Sequence, residues 1–272
     1  MGLKHTPLSS IIISGMSVLI EKLKRASLDG PQAIGFRTGQ IDSTRPRLPL
    51  VLGMSGENCD NLNAYGDSAD AALISIYGKK ADSKRISACY RAVSGIPWGG
   101  WLKADRGKRV ELKGVDCDFI VFPLDTSPGI IGGAEAGKIL AVDSSVVEGG
   151  LAGTVDKLPV DAVLLADEDD MSSLLTCRYL MLVHYFAALL TKPLMVSVPV
   201  EISSYEIGLL WEAGADGLLV MVDTAQGPDS IRGLRGMLDK AELPARRKQN
   251  ASRPILPRFG KEESQESGEE EE

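Results

Sequence analysis

The chain has 272 residues, 44% of them apolar and 25% charged, with a formal net charge of −7. Those values belong to a folded protein long enough to bury a large core without disulfide staples. The charge is uneven: residues 261–272 set Lys261 against seven glutamates, which is −6, so the body carries −7 − (−6) = −1. A nearly neutral body excludes a broad nucleic-acid footprint.

The first apolar stretch, Ile11 to Ile20, is short and runs into Glu21, Lys22, Lys24 and Arg25. It falls short of the roughly 20 apolar residues that a spanning helix needs. Ser9 to Leu28 reads instead as an extra N-terminal helix capping one end of the fold.

From residue 46 a repeat sets in. Apolar runs open alternately with proline and aspartate: Pro49-Leu-Val-Leu-Gly, Asp70-Ala-Ala-Leu-Ile-Ser, Pro97-Trp-Gly-Gly-Trp-Leu and Asp118-Phe-Ile-Val-Phe. Lys138-Ile-Leu-Ala-Val, Asp161-Ala-Val-Leu-Leu-Ala, Pro193-Leu-Met-Val-Ser-Val and Asp216-Gly-Leu-Leu-Val-Met-Val follow. Pro49 to Asp70 and Pro97 to Asp118 each span 21 residues; Lys138 to Asp161 and Pro193 to Asp216 each span 23. That spacing fits one strand, one helix and two turns. Short, continuously apolar strands are those covered on both faces. Proline is tolerated at a strand's first residue, and an aspartate there can bond turn N–H groups.

The predicted strands are 48–54, 71–77, 97–104, 118–123, 138–143, 160–166, 193–199 and 216–222. Helices are expected at Ser83–Val93, Met171–Leu190, Ser204–Glu212 and Asp229–Lys240, with weaker ones at 106–116 and 127–137. The glycine-rich 127–137 segment supports at most a short helix. The acidic run Asp167–Asp170 suits a helix N-terminus. Ser203-Ser204, Ala213-Gly214 and Gly227-Pro228 are cap and start signals. Leu174 to Leu190 carries Arg178 and His184 inside it and reads as a core-packed helix, not a membrane span.

Eight parallel strands with helices between them close most naturally into a single (β/α)8 barrel. The predicted organisation is an N-terminal extension with a helix over 1–45, the barrel over 46–243, and a disordered tail over 244–272. The tail is basic first (Arg246, Arg247, Lys248, Arg253, Arg258) and then acidic, and it is a candidate contact for a protein partner.

In such barrels chemistry sits at the C-terminal ends of the strands. The residues there are Ser55 and Glu57, Tyr77, Lys103 and Asp105, Asp125, Asp143, Asp167 and Glu168, Glu201, and Asp223. Residues two apart on a strand share a face. Trp101, Lys103 and Asp105 form one such set, Ile139, Ala141 and Asp143 another, and Ser75 and Tyr77 a third. Small Ala141 and polar Ser75 suggest inward faces. Lys103, Asp143 and Asp105 are the candidate catalytic residues. Lys103 has three readings: a structural ion-pair partner, an anchor for an anionic substrate group, or a Schiff-base or general-base amine. The surrounding carboxylates hold it protonated, against the nucleophile role. Ser55, Glu57, Tyr77, Asp125, Glu201 and Asp223 are candidate substrate contacts. Asp143, Asp167 and Glu201 are candidate Mg²⁺ ligands, set against a plain role as helix caps and solvated surface.

Other mechanisms are disfavoured. The two histidines are His5, near the N-terminus, and His184, read as packed mid-helix among Val183, Tyr185 and Phe186. Serine–histidine, cysteine–histidine and histidine-rich zinc chemistry lack their parts. Cys59, Cys89, Cys117 and Cys177 are far apart, form no CxxC pair, and are expected as free thiols in a cytoplasmic protein.

Glu212-Ala-Gly-Ala-Asp-Gly-Leu-Leu-Val220 resembles the passage from helix 7 to strand 8 of phosphate-binding TIM barrels, the superfamily that includes flavin- and nucleotide-linked enzymes such as the inosine monophosphate dehydrogenase type. The resemblance implies the TIM-barrel architecture. Those barrels grip phosphate with glycine-rich turns after strands 7 and 8. Here the turns carry Glu201 and Asp223, which repel phosphate, so FMN and phosphate-ester binding is not carried over. A small-molecule ligand at the barrel mouth remains, turned over by lyase- or aldolase-like or metal-assisted chemistry; the alternative is a degenerate barrel that binds a ligand or partner without turnover.

Overall fold

The computed structural model describes residues 17–27, 47–55, 65, 68–76, 95–102, 117–132, 135–166, 175–222 and 227–244. Eight strands are present: β1 Leu50–Ser55, β2 Ala71–Ile76, β3 Trp98–Leu102, β4 Phe119–Pro123, β5 Gly137–Val142, β6 Ala162–Leu165, β7 Leu194–Val198 and β8 Gly217–Val222. They are hydrogen-bonded in chain order, and β8 closes on β1, giving a closed barrel. Every pairing is parallel. The described helices are α1 Val18–Ser27, α2 Pro128–Ile131, α3 Ser145–Glu148, α4 Ala152–Val155, α5 Cys177–Leu189, α6 Ser204–Ala213 and α7 Pro228–Lys240.

Alternation along the strands divides the apolar side chains into two cores. Val51, Leu73, Trp101, Val121, Ile139, Leu164, Met195 and Leu219 fill the barrel. Leu52, Ile74, Phe122, Leu140, Val163 and Val220 face outward and pack with Phe186, Leu210, Trp211 and Leu234 of the surrounding helices. The strands are buried on both faces, which is why they read as unbroken apolar runs.

The leading residues of the strands do more than start them. Pro49, Pro97 and Pro193 lack an N–H, yet their carbonyls accept from Leu218, Ala72 and Val163 on the adjoining strand. Asp70, Asp161 and Asp216 each donate a backbone N–H to a carbonyl at the start of the preceding strand, that of Leu50, Lys138 and Leu194 respectively. Their carboxylates accept the N–H of that same residue in return, at 3.1, 2.8 and 2.9 Å. The expected bonding to local turn groups is therefore replaced by a clamp across two strands. The aspartate faces the neighbouring strand's start, where a backbone donor is within reach.

Asp118 is the exception. Its N–H donates to Trp98 in the same way, but its carboxylate accepts from Ser17 Oγ, Val18 N–H and Leu19 N–H at 2.8, 2.7 and 3.0 Å. It thereby caps α1, whose Leu19, Ile20 and Leu23 belong to the barrel's interior core. The helix plugs the N-terminal end of the barrel. Glycine at the starts of β5 and β8 makes room. A Cβ on Gly137 would lie 2.6 Å from Ser17 Cβ, and one on Gly217 would lie 2.4 Å from Leu23 Cδ2. Lys22 of α1 pairs with Asp70 at 3.2 Å, and buried Arg235 of α7 reaches the same aspartate at 3.1 Å. The N-terminal end is thus closed by packing and tied by charge.

Three helices follow their signals. α6 carries a full capping box between Ser203 and Glu206 and ends at Gly214 with φ +109°. α7 starts at Gly227 with Pro228 in its first turn. The 127–137 segment yields the single turn of α2. The helix expected from Met171 instead begins at Cys177, where Thr176 Oγ1 accepts from Tyr179 N–H. The hydroxyl cap, not the acidic run, sets the start. His184 is exposed on α5, not packed: Val183 and Phe186 take the buried face. The chain leaves α7 through 241–244, and Trp211 Nε1 donates to the Pro244 carbonyl at 2.7 Å. The expected helices at 83–93 and 106–116 and the charged tail beyond Pro244 lie outside the described residues. Among the described residues no helix is long and apolar enough to cross a membrane, and no disulfide joins Cys117 and Cys177.

Candidate functional site

With the N-terminal end plugged, a site in this fold falls at the C-terminal ends of the strands. At that end the strand termini are held in register. Ser55 of β1 registers with Ser75 of β2, and Ser75 with Trp101 of β3. Ser75 and Trp101 are buried. Ala141 of β5 and Met221 of β8 pack on the interior core from the same end, as the alternation around Ser75 and Ala141 predicts. On β7, Ser197 alternates with inward Met195, and its Oγ is fully enclosed with no hydrogen-bond partner.

The β6–β7 side of the mouth is held by α5. Tyr179 sends its hydroxyl between the two strand ends, 3.0 Å from the Leu165 carbonyl and 2.9 Å from the Ser197 carbonyl. One hydroxyl proton is shared between two acceptors, which fixes both strand termini against the helix.

Of the candidate residues, Asp125, Asp143 and Glu201 lie within the described residues with their side chains. Asp125 and Asp143 follow the adjacent strands β4 and β5, whose register pairs Pro123 with Ala141. Asp125 is exposed and Asp143 half-buried. Asp143 Oδ1 accepts from Ser145 N–H at 2.9 Å and from the Ser145 hydroxyl, closing the turn that starts α3. Its resting role is therefore a local cap. Glu201 is exposed in the turn after β7. Ser55 ends β1 in the expected place, while Glu57, Tyr77, Lys103, Asp105, Asp167, Glu168 and Asp223 lie outside the described residues. Among the described residues no group of three or more His, Cys, Asp or Glu side chains could hold a metal ion.

The turn after β7 has a charge of its own. The Ser203 hydroxyl, and then its backbone N–H, hold the Glu206 carboxyl below its ordinary value. That carboxylate sits at the N-terminus of α6, where the helix dipole favours a negative charge.

Sequence reasoning missed Ser197 and Tyr179. A serine at an inward position of the apolar run Leu-Met-Val-Ser-Val was the available signal for the first. Nothing in the sequence pointed to the second, because its acceptors are backbone carbonyls 14 and 18 residues away.

A closed eight-stranded parallel barrel with helices between its strands defines the class: this is a (β/α)8 TIM barrel with a plugged N-terminal end. Solved structures of similar fold include 3-hexulose-6-phosphate synthase, with a TM-score of 0.52 and 15% identity over 70% of this chain and 99% of that one. A tryptophan synthase structure from Mycobacterium tuberculosis matches with a TM-score of 0.53 and 17% identity over 73% and 94%. A variant tryptophan synthase alpha-subunit from Pyrococcus furiosus matches at 0.51 and 11% over 71% and 97%. At these identities the likeness is one of fold. No family model and no curated protein sequence matches the chain.

Proposed function

We propose that the chain is an enzyme acting on a small metabolite at the C-terminal mouth of its barrel. The observation that carries this reading is that α1 seals the N-terminal end with Leu19, Ile20 and Leu23, which leaves the C-terminal ends of the strands, where this fold keeps its chemistry, as the side for a site. In this reading Lys103 anchors or activates the substrate. Asp143, released from Ser145, and Asp105 serve as proton-transfer groups in lyase- or aldolase-like chemistry, or as ligands in metal-assisted chemistry. Ser55, Glu57, Tyr77, Asp125, Glu201 and Asp223 form the rim that selects the ligand. Fold likeness to barrels that are synthases lends this only analogy.

The test is a thermal-shift screen of the full chain with Mg²⁺, phosphate esters and keto acids, repeated on Lys103→Ala. At least one class should raise the melting temperature of the wild type and lose that effect in the variant. A variant that keeps every wild-type response excludes the role given to Lys103. The second reading, a barrel that binds without turnover, is favoured by the engagement of Asp143 with Ser145. It predicts a ligand response with no conversion of the ligand.

A further inference from the structure

We propose that the β4–β5 and β7–β8 side of the mouth binds a small uncharged group, apolar over its body and carrying a hydroxyl at one end. Four inward residues carry this. Ala141 and Met221 pack on the interior core yet remain partly exposed. Pro123, in step with inward Phe119 and Val121, and Ser197, in step with inward Met195, are partly exposed as well. The outward residues of the same strands, Phe122, Leu140, Val198 and Val220, are buried, and α1 closes the N-terminal end. Solvent therefore reaches the four from the C-terminal end. One layer deeper, Val121, Ile139, Met195 and Leu219 are fully buried, so it enters the barrel as far as that layer and no further.

The wall fixes the chemistry. Pro123, Ala141 and Met221 offer carbon and a thioether, and Ser197 a hydroxyl that bonds nothing in the fold. Among the described inward residues of the eight strands none is charged. The turns above carry Asp125, Asp143 and Glu201, and no cation among the described residues after β4, β5 and β7. An anionic group would meet carboxylates and nothing to pair with. A hydroxyl would be received: Ser145 bonds Asp143 through Oδ1 alone, and a carboxylate has sites for about four hydrogen bonds, so Oδ2 can accept from a ligand.

Two residues set the size. A Cβ on Gly53 would overlap the Met221 thioether, so that side chain lies across β1 in the notch the glycine leaves. Methionine repacks readily around a guest. Ala141, three strands away from Met221, leaves with its single methyl the space the group fills. The inference rests on the mouth being the working end, and it adds the ligand class that this side of the mouth selects.

The full chain labelled at its methionine methyls is titrated with isobutanol, cyclohexanol and benzyl alcohol, and with isobutyrate, cyclohexanecarboxylate and benzoate. At least one alcohol should move the Met221 methyl signal, assigned with Met221→Leu, at millimolar concentration. It should bind at least about tenfold more tightly than the carboxylate of the same shape. Ala141→Leu should weaken that alcohol about tenfold by filling its space; where this variant does not fold, the Met221 signal decides. The proposal is overturned if no alcohol moves that signal, if the carboxylates bind as tightly, or if a folded Ala141→Leu binds as the wild type does. The two readings fail separately. A ligand found among Mg²⁺, phosphate esters and keto acids, with no alcohol bound, removes this assignment and leaves the enzyme. An alcohol bound at Met221, with no response to those three classes, leaves this assignment and removes the support for the enzyme.

Discussion

The plug at the N-terminal end hangs on Asp118, and Asp118→Ala is the perturbation that isolates it. The carboxylate accepts from Ser17 Oγ, Val18 N–H and Leu19 N–H at 2.8, 2.7 and 3.0 Å. Loss of an N-cap acceptor costs about 0.5–2 kcal/mol, and loss of a negative charge at a helix N-terminus about 0.3–1 kcal/mol. Val18 is half exposed, so water replaces part of what is lost there, and the expected total is about 1–2 kcal/mol. For a domain of this size that lowers the melting temperature by about 2–8 °C. Asp161→Ala is the control: it has the same place before its strand but a single bond, to Lys138 N–H at 2.8 Å, worth about 1 kcal/mol. Hydrogen exchange adds a local readout. The amides of Leu19 and Ile20 should exchange about 30-fold faster in Asp118→Ala, the factor that 2 kcal/mol implies, with β-strand amides less affected. A melting temperature no lower than that of Asp161→Ala, with unchanged protection of α1, would refute the view that this aspartate holds the plug.

Gly214→Ala should destabilise by at least about 2 kcal/mol by urea titration, because φ there is +109° and the new methyl would lie 2.4 Å from Ala187 Cβ. Arg235→Met should cost about 3 kcal/mol at neutral pH, since it withdraws a buried guanidinium from Asp70 and Asp239. That gap should narrow in acid. The Arg235 hydrogen bond is the main cause holding the Asp239 carboxyl below its ordinary value, so its contribution is present above that value and is lost as the pH falls through the lowered one. Melting curves of the two proteins should converge between about pH 5 and pH 3, and a gap constant across that range would refute the assignment.

The barrel was legible because its strands are buried on both faces and begin with residues of marked character. The predicted 71–77 and 216–222 are Ala71–Ile76 and Gly217–Val222, within a residue of the mark. The start of α5 was misplaced because four acids outweighed one threonine, although the hydroxyl of Thr176 makes the cap. Asp143 closes the turn before α3, the plain local role weighed for it from the sequence, since an aspartate two residues before a serine is a local bonding signal. The grip of Asp118 on α1 could not, because it spans about 100 residues of chain and nothing local distinguishes Asp118 from the aspartates at 70, 161 and 216.

That diversion of one aspartate explains how the two ends of the barrel came to differ. Three of the four equivalent carboxylates spend their acceptor on the strand beside them, which stiffens the N-terminal rim in three places. The fourth spends it on a helix from outside the repeat, and that helix then supplies the apolar side chains that fill the space under β5 and β8. Close contact is possible there only because both strands begin with glycine. The N-terminal end is therefore built for stability, with ion pairs from Lys22 and Arg235 converging on Asp70.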